Sequence, residues 1–195
     1  MRYRTLIADP PWQYRNTGTN GAAERHYPTM SIQELSSLPI SSLADRDAIL
    51  LLWATWPMLG EALELVKVWG FNYVTGFPWI KLQKAPQPAL FGDVELIPSY
   101  GPGFWVRGCS EPILIARRGK VPPPLSDYAG LLSERLRHSR KPESLYEYAE
   151  ALEGPYLELW ARGSRPGWRA LGNEIDGRDI RDAIQQELDS PILGL

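Results

Sequence analysis

The chain has 195 residues, 44% hydrophobic and 23% charged, with a net charge of -2; this is the size and balance of one globular domain with an ample core, and the acidic balance counts against broad electrostatic capture of a polyanion. A single cysteine, Cys109, and two histidines, His26 and His138, exclude an internal disulfide framework and a cysteine-cluster metal site and leave little for zinc, so no structural metal is expected. No apolar run is long enough to span a bilayer and the amino terminus lacks a signal-peptide pattern, which predicts a cytosolic or intraviral protein without a membrane segment.

Residues 5–8 read as a short, fully buried strand that must stop at Asp9, because Pro10 and Pro11 cannot donate to a ladder. The Asp9 carboxylate is thereby expected at the carboxyl end of a strand, where open α/β sheets place their ligands. Pro10 keeps a rigid carbonyl acceptor and Trp12 adds a flat plate. An acid, a fixed carbonyl and an aromatic plate suit a planar amine held while it reacts. Residues 13–25 are polar and Gly/Asn/Thr-rich, a surface loop. Ser31 to Glu34 has the S-x-x-E form of a capping box and opens a short helix ending before Pro39.

The apolar run 48–53 predicts a buried parallel strand. Pro57 starts a helix to Trp69, with Leu59, Leu63 and Val66 on its apolar face and Gly70 as its stop. Residues 73–81 predict a strand that is bent or near an edge, since Gly76 and Pro78 interrupt it. The Pro-rich stretch 82–104 shows no periodicity beyond a brief run at 94–97. A loop of that length inside a compact domain is usually functional, and with the 13–25 loop it is expected to close over a bound acceptor. A strand follows at 112–117. Pro142 opens a helix over 143–153, and 156–161 is a strand with one acid in its middle. Residues 168–171 are short and extended, 172–174 turn, and 178–188 have the pattern of a surface helix. The alternation of strands and helices predicts an α/β fold with a mostly parallel sheet flanked by helices, in one domain over residues 1–195.

No G-x-G-x-x-G, P-loop, G-x-S-x-G or H-E-x-x-H is present, which removes the usual support for dinucleotide oxidoreductase, NTPase, α/β-hydrolase and zincin readings. A set of strand-end groups remains. Asp9 and Glu158 are strand acids, Arg162 and Asn173-Glu174 follow strands, and Ser139 and Lys141 precede a helix. Strand-end acids grip ribose hydroxyls, and a lysine or helix amino terminus grips a carboxylate. S-adenosylmethionine presents ribose, amine and carboxylate together and fits this set, although each residue taken alone is more often structural. An aromatic and basic set stands beside it: Tyr27, Trp53, Trp79-Ile80-Lys81 and Trp105, with Arg117, Arg118, Lys120, Arg135, Arg137, Arg140 and Lys141 as a basic face or as ordinary solvated surface. Trp69 and Trp168 read as core.

Asp9-Pro10-Pro11-Trp12, Tyr27-Pro28-Thr29-Met30, Leu52-Trp53, Trp79-Ile80-Lys81, residues 105–111, Ser139-Arg140-Lys141-Pro142, residues 157–162, Pro166-Gly167-Trp168 and Gly172-Asn173-Glu174 occur in one order. Over residues 4–176 the chain resembles the DPPW-type N(6)-adenine methyltransferases, which include the catalytic subunit of the eukaryotic messenger-RNA adenosine methyltransferase and small bacterial and phage enzymes. The resemblance implies a Rossmann-like methyltransferase fold, S-adenosyl-L-methionine as cofactor, and methyl transfer to the exocyclic amine of adenine in nucleic acid, DNA ahead of RNA, in the cytoplasm of a bacterial or phage-infected cell. It implies Asp9 and Pro10 as receivers of the amine, with Pro11 and Trp12 shaping the pocket. Asp9, Ser139, Lys141, Glu158, Trp160, Arg162, Asn173 and Glu174 match the family's cofactor region, and Tyr27, Trp53, Trp79, Lys81 and Glu111 its acceptor side.

Three departures stand out. The sequence begins just before Asp9, so the upstream cofactor contacts of longer relatives are expected to be absent. Glu174 stands where the eukaryotic enzymes commonly have glutamine, and the family's usual basic partner domain is not expected here, which makes a homodimer an expectation. The competing readings are a catalytically inactive scaffold, which the intact tetrapeptide argues against, and a methyltransferase for a small molecule or protein, which the acidic balance keeps open.

Overall fold

The structure, a computed structural model, describes residues 2–14, 29–84, 96–101, 105–124, the backbone of 131–134, and 141–190. Eight strands form one sheet: β1 (Tyr3–Ala8), β2 (Ala44–Trp53), β3 (Asn72–Lys84), β4 (Leu96–Pro98), β5 (Ser110–Arg118), β6 (Leu131–Glu134), β7 (Tyr156–Leu159) and β8 (Trp168–Leu171). Their order is β4-β3-β5-β2-β1-β7-β8, with β6 paired to β3. The helices are α1 (Ile32–Ser37), α2 (Ile40–Leu43), α3 (Leu59–Val68), α4 (Ser144–Glu150), α5 (Asn173–Asp176) and α6 (Ile180–Asp189).

The continuous apolar runs are explained by a sheet buried on both faces. In β2, Leu50 and Leu52 point to one face with Leu6, Ala8, Leu114 and Leu157, where Leu35, Leu43, Leu65 and Ile184 bring in α1, α2, α3 and α6. Ile49, Leu51 and Trp53 point to the other with Ile7, Trp79, Ile113 and Ile115, where Leu145, Tyr148 and Ala149 bring in α4. Trp69 and Trp168 are both buried, as their apolar settings predict.

The sheet is mixed, which corrects the mostly parallel expectation. β1 is parallel to β2 and β7, β7 to β8, and β3 to β6. β5 runs antiparallel to both β2 and β3, and β4 antiparallel to β3. The physical reason is the connection: parallel neighbours need a covered crossover, and α3 supplies one between β2 and β3, whereas no helix is assigned between β3 and β5 among the described residues. β5 therefore returns through the gap left between β2 and β3.

Other boundaries shift locally. The Ser31/Glu34 capping box forms as predicted. The helix expected from Pro57 begins as a 3-10 turn at Trp56–Met58 before α3, and Gly70, at φ 83°, ends it. Its buried face is Ala62, Leu65 and Val66, with Leu59 and Leu63 only partly covered. β3 runs on to Lys84 and β4 lies at 96–98, so six residues of the expected 82–104 loop are strand; 85–95, 102–104 and most of the 13–25 loop lie outside the described residues. The expected turn at 172–174 is the start of α5.

Gly172 is where the β7 and β8 ends meet. A Cβ there would lie 2.5 Å from the Ala161 carbonyl oxygen and 2.8 Å from its nitrogen, both backbone atoms that cannot swing aside. Gly172→Ala is predicted to lower stability by about 1–3 kcal/mol through overpacking; an unchanged melting temperature would contradict this close approach.

Candidate active site

Asp9 follows the last residue of β1, where its amide donates to the Leu159 carbonyl at 3.4 Å and ties it to the end of β7. The two prolines then turn the chain. The Trp12 amide donates to the Pro10 carbonyl at 2.9 Å, and the Met30 amide to the Pro11 carbonyl at 2.8 Å. The Pro10 oxygen is thus rigid, as expected, but one of its two lone pairs is engaged. Trp12 is buried, and its indole N–H donates to the Trp53 carbonyl at 3.1 Å. The tetrapeptide is bolted to the end of β2.

The Lys141 ammonium sits at the centre of the acidic and basic side chains. Its Nζ lies 3.1 Å from Asp9 Oδ1 and 2.9 Å from Glu111 Oε2, while Lys81 Nζ lies 2.5 Å from Glu111 Oε1. Lys141 Nζ also lies 4.2 Å above the Trp53 ring, and Trp79 meets Trp53 edge to face with centroids 5.6 Å apart. Burial alone would lower the Lys141 pKa, but Asp9 and Glu111 outweigh it and hold it above its ordinary value. Burial likewise pushes Glu111 up, and Lys141 and Lys81 reverse this, holding the carboxyl below the usual range. Asp9, Lys81, Glu111 and Lys141 form one chain of alternating charge.

A second group gathers at the ends of β7 and β8. Glu158 pairs in register with Ile7, two residues before Asp9, and accepts from the Tyr146 hydroxyl at 2.8 Å. Burial pushes its carboxyl up to about 7; the Tyr146 hydrogen bond opposes this and Asp9 adds to it. Trp160 has φ 59°, left-handed for a bulky residue, and stacks on Trp69 with centroids 6.2 Å apart. Its buried indole nitrogen has no hydrogen-bond partner in the structure. Arg162 Nη1 pairs with Glu174 Oε1 at 3.1 Å, and Asn173 and Glu174 are exposed on the first turn of α5.

The structure therefore joins residues read from the sequence as two sets. Lys141, placed with the cofactor group, lies among Asp9, Glu111, Lys81 and Trp53. Trp53 and Trp79 are 1% and 4% exposed, a floor under Lys141 rather than open plates. Tyr27 and Ser139 lie outside the described residues, as do Arg135, Arg137 and Arg140. Of the expected basic face, Arg118 is turned inward: it donates to the Asp45 and Ala44 carbonyls and to Ser41. Tyr146 was missed. Only its position in the helix after Pro142, four residues beyond which the chain heads toward Glu158, hinted at it.

Glu158 sets a pH dependence of stability. Folded, it keeps its proton up to about pH 7; unfolded, it releases it near the ordinary 4.5. Its contribution is then fully present below about pH 4.5 and lost as pH rises through about 7. Glu158→Gln is predicted to remove that loss, so its urea midpoint should gain on the wild type across this window. Parallel curves would contradict the buried acid.

The MT-A70 family pattern matches residues 3–174. The type II methyltransferase M.MunI of Mycoplasma sp. is 29% identical over 214 residues, covering 96% of this chain and 84% of its own length. The human N(6)-adenosine-methyltransferase catalytic subunit METTL3 is 27% identical over 190 residues, 93% of this chain and 30% of its own length. The N6-methyladenosine RNA methyltransferase MTA1 of Pyricularia oryzae is 29% identical over 207 residues, 98% of this chain and 52% of its own. The chain thus spans most of M.MunI and a minor part of METTL3. The match takes in every strand-end residue from Asp9 to Glu174, and the chain belongs to the MT-A70 family of N(6)-adenine methyltransferases.

Proposed function

We propose that this chain transfers a methyl group from S-adenosyl-L-methionine to the N(6) amine of adenine in nucleic acid, with DNA ahead of RNA. The observation that carries the reading is Asp9, placed at the end of β1 by its amide donating to the Leu159 carbonyl, with its carboxylate paired to the Lys141 ammonium. DNA is put first because M.MunI, matched over 84% of its length, bears a type II methyltransferase name, whereas the RNA-named MTA1 is matched over 52%.

The polar groups at the β7 and β8 ends fit the cofactor. Glu158 is a buried acceptor whose charged form lacks solvation, and the Trp160 N–H is buried without a partner; a ligand rich in hydroxyls and nitrogens satisfies both. When bound, S-adenosyl-L-methionine supplies an electrophilic methyl group on a sulfonium sulfur. Glu158 would accept from its ribose hydroxyls, and Asn173 and Glu174, exposed on the first turn of α5, would add polar contacts, with Trp160 as an aromatic plate. Asp9, Ser139, Lys141 and Arg162 complete the set implied by the family motif.

The adenine amine is a weak nucleophile because its lone pair is delocalised into the ring. Lys141 contacts Oδ1 of Asp9, and we assign Oδ2 and the remaining lone pair of the Pro10 carbonyl to the two amine hydrogens. Two fixed acceptors favour the pyramidal nitrogen needed for attack, and alignment does the rest. No strong base is needed beforehand, since the proton leaves after transfer. Pro11 and Trp12 hold the turn; Tyr27, Trp53, Trp79, Lys81 and Glu111 make up the acceptor side. A target in duplex must be flipped out. We place the activity in the cytoplasm, treat residues 1–195 as one methyltransferase domain, and expect a homodimer. No helix among the described residues is long and apolar enough to cross a membrane.

Asp9→Ala should leave S-adenosyl-L-methionine binding measurable by calorimetry while turnover falls by ~100-fold or more, the loss of about 3 kcal/mol of transition-state hydrogen bonding. Asp9→Asn should also fail, because an amide presents a donor to the amine. If Asn restores both melting temperature and methyl transfer, Asp9 is structural and the assignment falls.

A further inference from the structure

Stacking surfaces for bases must come from somewhere other than Trp53 and Trp79, whose faces are covered. Among the described residues, the most exposed aromatic side chain lies between β4 and β5. Trp105 is 97% exposed and Val106 77%. The loop is closed at its neck, where the Gly101 amide donates to the Gly108 carbonyl at 2.7 Å. Both flanks are hydrogen-bonded to a single residue of β3: the Ser99 amide donates to the Lys81 carbonyl and the Lys81 amide to the Cys109 carbonyl, each at 2.7 Å. Lys81 is the residue whose ammonium holds Glu111 in the Asp9 cluster. The Trp105 loop is therefore anchored on the backbone of the active site.

Its chemistry suits a polyanion bearing flat rings. Residues 96–109 contain no Asp or Glu in a chain whose net charge is -2. Arg107 lies over the Tyr100 ring at 5.8 Å, a half-exposed aromatic under a cation at the loop neck. Trp56, also half exposed, is fixed beside the same loop by its indole N–H donating to the Ser110 hydroxyl at 3.0 Å. Three aromatic plates and one guanidinium thus surround the loop, and the most exposed plate is at its tip. An indole left fully in water costs solubility without contributing to the core, and a ligand that covers it recovers the apolar area.

We propose that Trp105 is a stacking plate for a nucleic-acid base beside the target adenine, with Tyr100, Arg107 and Trp56 continuing the contact along the strand. This rests on the reading of the chain as a nucleic-acid methyltransferase. The plate binds and registers the strand and takes no part in the transfer itself. It also explains how an acidic chain holds a polyanion: by stacking, which is tolerant of sequence, more than by charge.

The test is fluorescence anisotropy of the full chain with a fluorescein-labelled single-stranded oligodeoxyadenylate, for the wild type, Trp105→Ala and Trp105→Phe. Stacking on one aromatic predicts about 10-fold weaker binding for the Ala variant and near-recovery for Phe, with S-adenosyl-L-methionine affinity and melting temperature unchanged in both. Wild-type binding matched by the Ala variant would overturn the plate and leave the methyltransferase reading standing. A fall in mass by light scattering for the Ala variant would also overturn it, by making Trp105 a contact between two copies. A wild type that binds no oligonucleotide and methylates none would bring down the plate and the substrate reading together.

Discussion

One ammonium, that of Lys141, holds the site together. Asp9 and Glu111 are carboxylates drawn toward the same partly buried space, and without a cation between them one would take up a proton. Lys141 contacts both, Lys81 closes the far side of Glu111, and the Trp53 ring underlies Lys141. Two positive charges then face two negative ones, and the two lysines hold the Glu111 carboxyl below the usual range. The ring beneath the ammonium adds a favourable cation–π contact where water is sparse. Such a chain is worth little as net stability, since desolvation offsets most of the attraction, but breaking it by removing one member is costly. Its value is in fixing the direction of the Asp9 carboxylate.

The mixed sheet is what allows this chain to form. Parallel strands bring their carboxyl ends to one edge, which accounts for Asp9 after β1, Trp53 at the end of β2 and the groups beyond β7 and β8. Glu111 reaches the same edge from the opposite end of its strand, because β5 runs antiparallel between β2 and β3 and begins where they finish. Trp79 and Glu111 are paired across β3 and β5, and Lys81 follows two residues on. On the other side of Asp9 the backbone turns sharply at Trp160 and closes against Gly172. The acceptor side and the proposed cofactor side are thus built from the two halves of one sheet, with Asp9 at the seam.

Much of this was legible in the sequence. Asp9-Pro10-Pro11-Trp12 announces a strand end because two prolines leave no alternative, and Ser31/Glu34 announces a helix start because the capping box is local. Leu50 and Leu52 against Ile49 and Leu51 read as a buried strand, since both faces need apolar residues. Strand direction was not legible: an apolar run such as 112–117 has the same pattern whichever way it is paired. Nor was the partnership of Lys141 with Glu111, which are 30 residues apart on elements whose pairing depends on that direction. Lys141 reads as a carboxylate grip from its place before a helix; the fold gives it two carboxylates of its own. Trp105 was visible as one of several tryptophans, but nothing in its sequence setting gave its near-complete exposure.

Asp9 as the acceptor of an adenine amine makes a claim about which atom is methylated. The most direct measurement is nucleoside mass spectrometry, with chromatographic separation of methyladenine isomers, on oligonucleotides incubated with the chain and S-adenosyl-L-methionine carrying an isotopically labelled methyl group. Label on the N(6) amine of adenine, and its loss with Asp9→Ala, is the predicted result. Label on a ring nitrogen, on cytosine, or on no nucleoside at all would contradict the account.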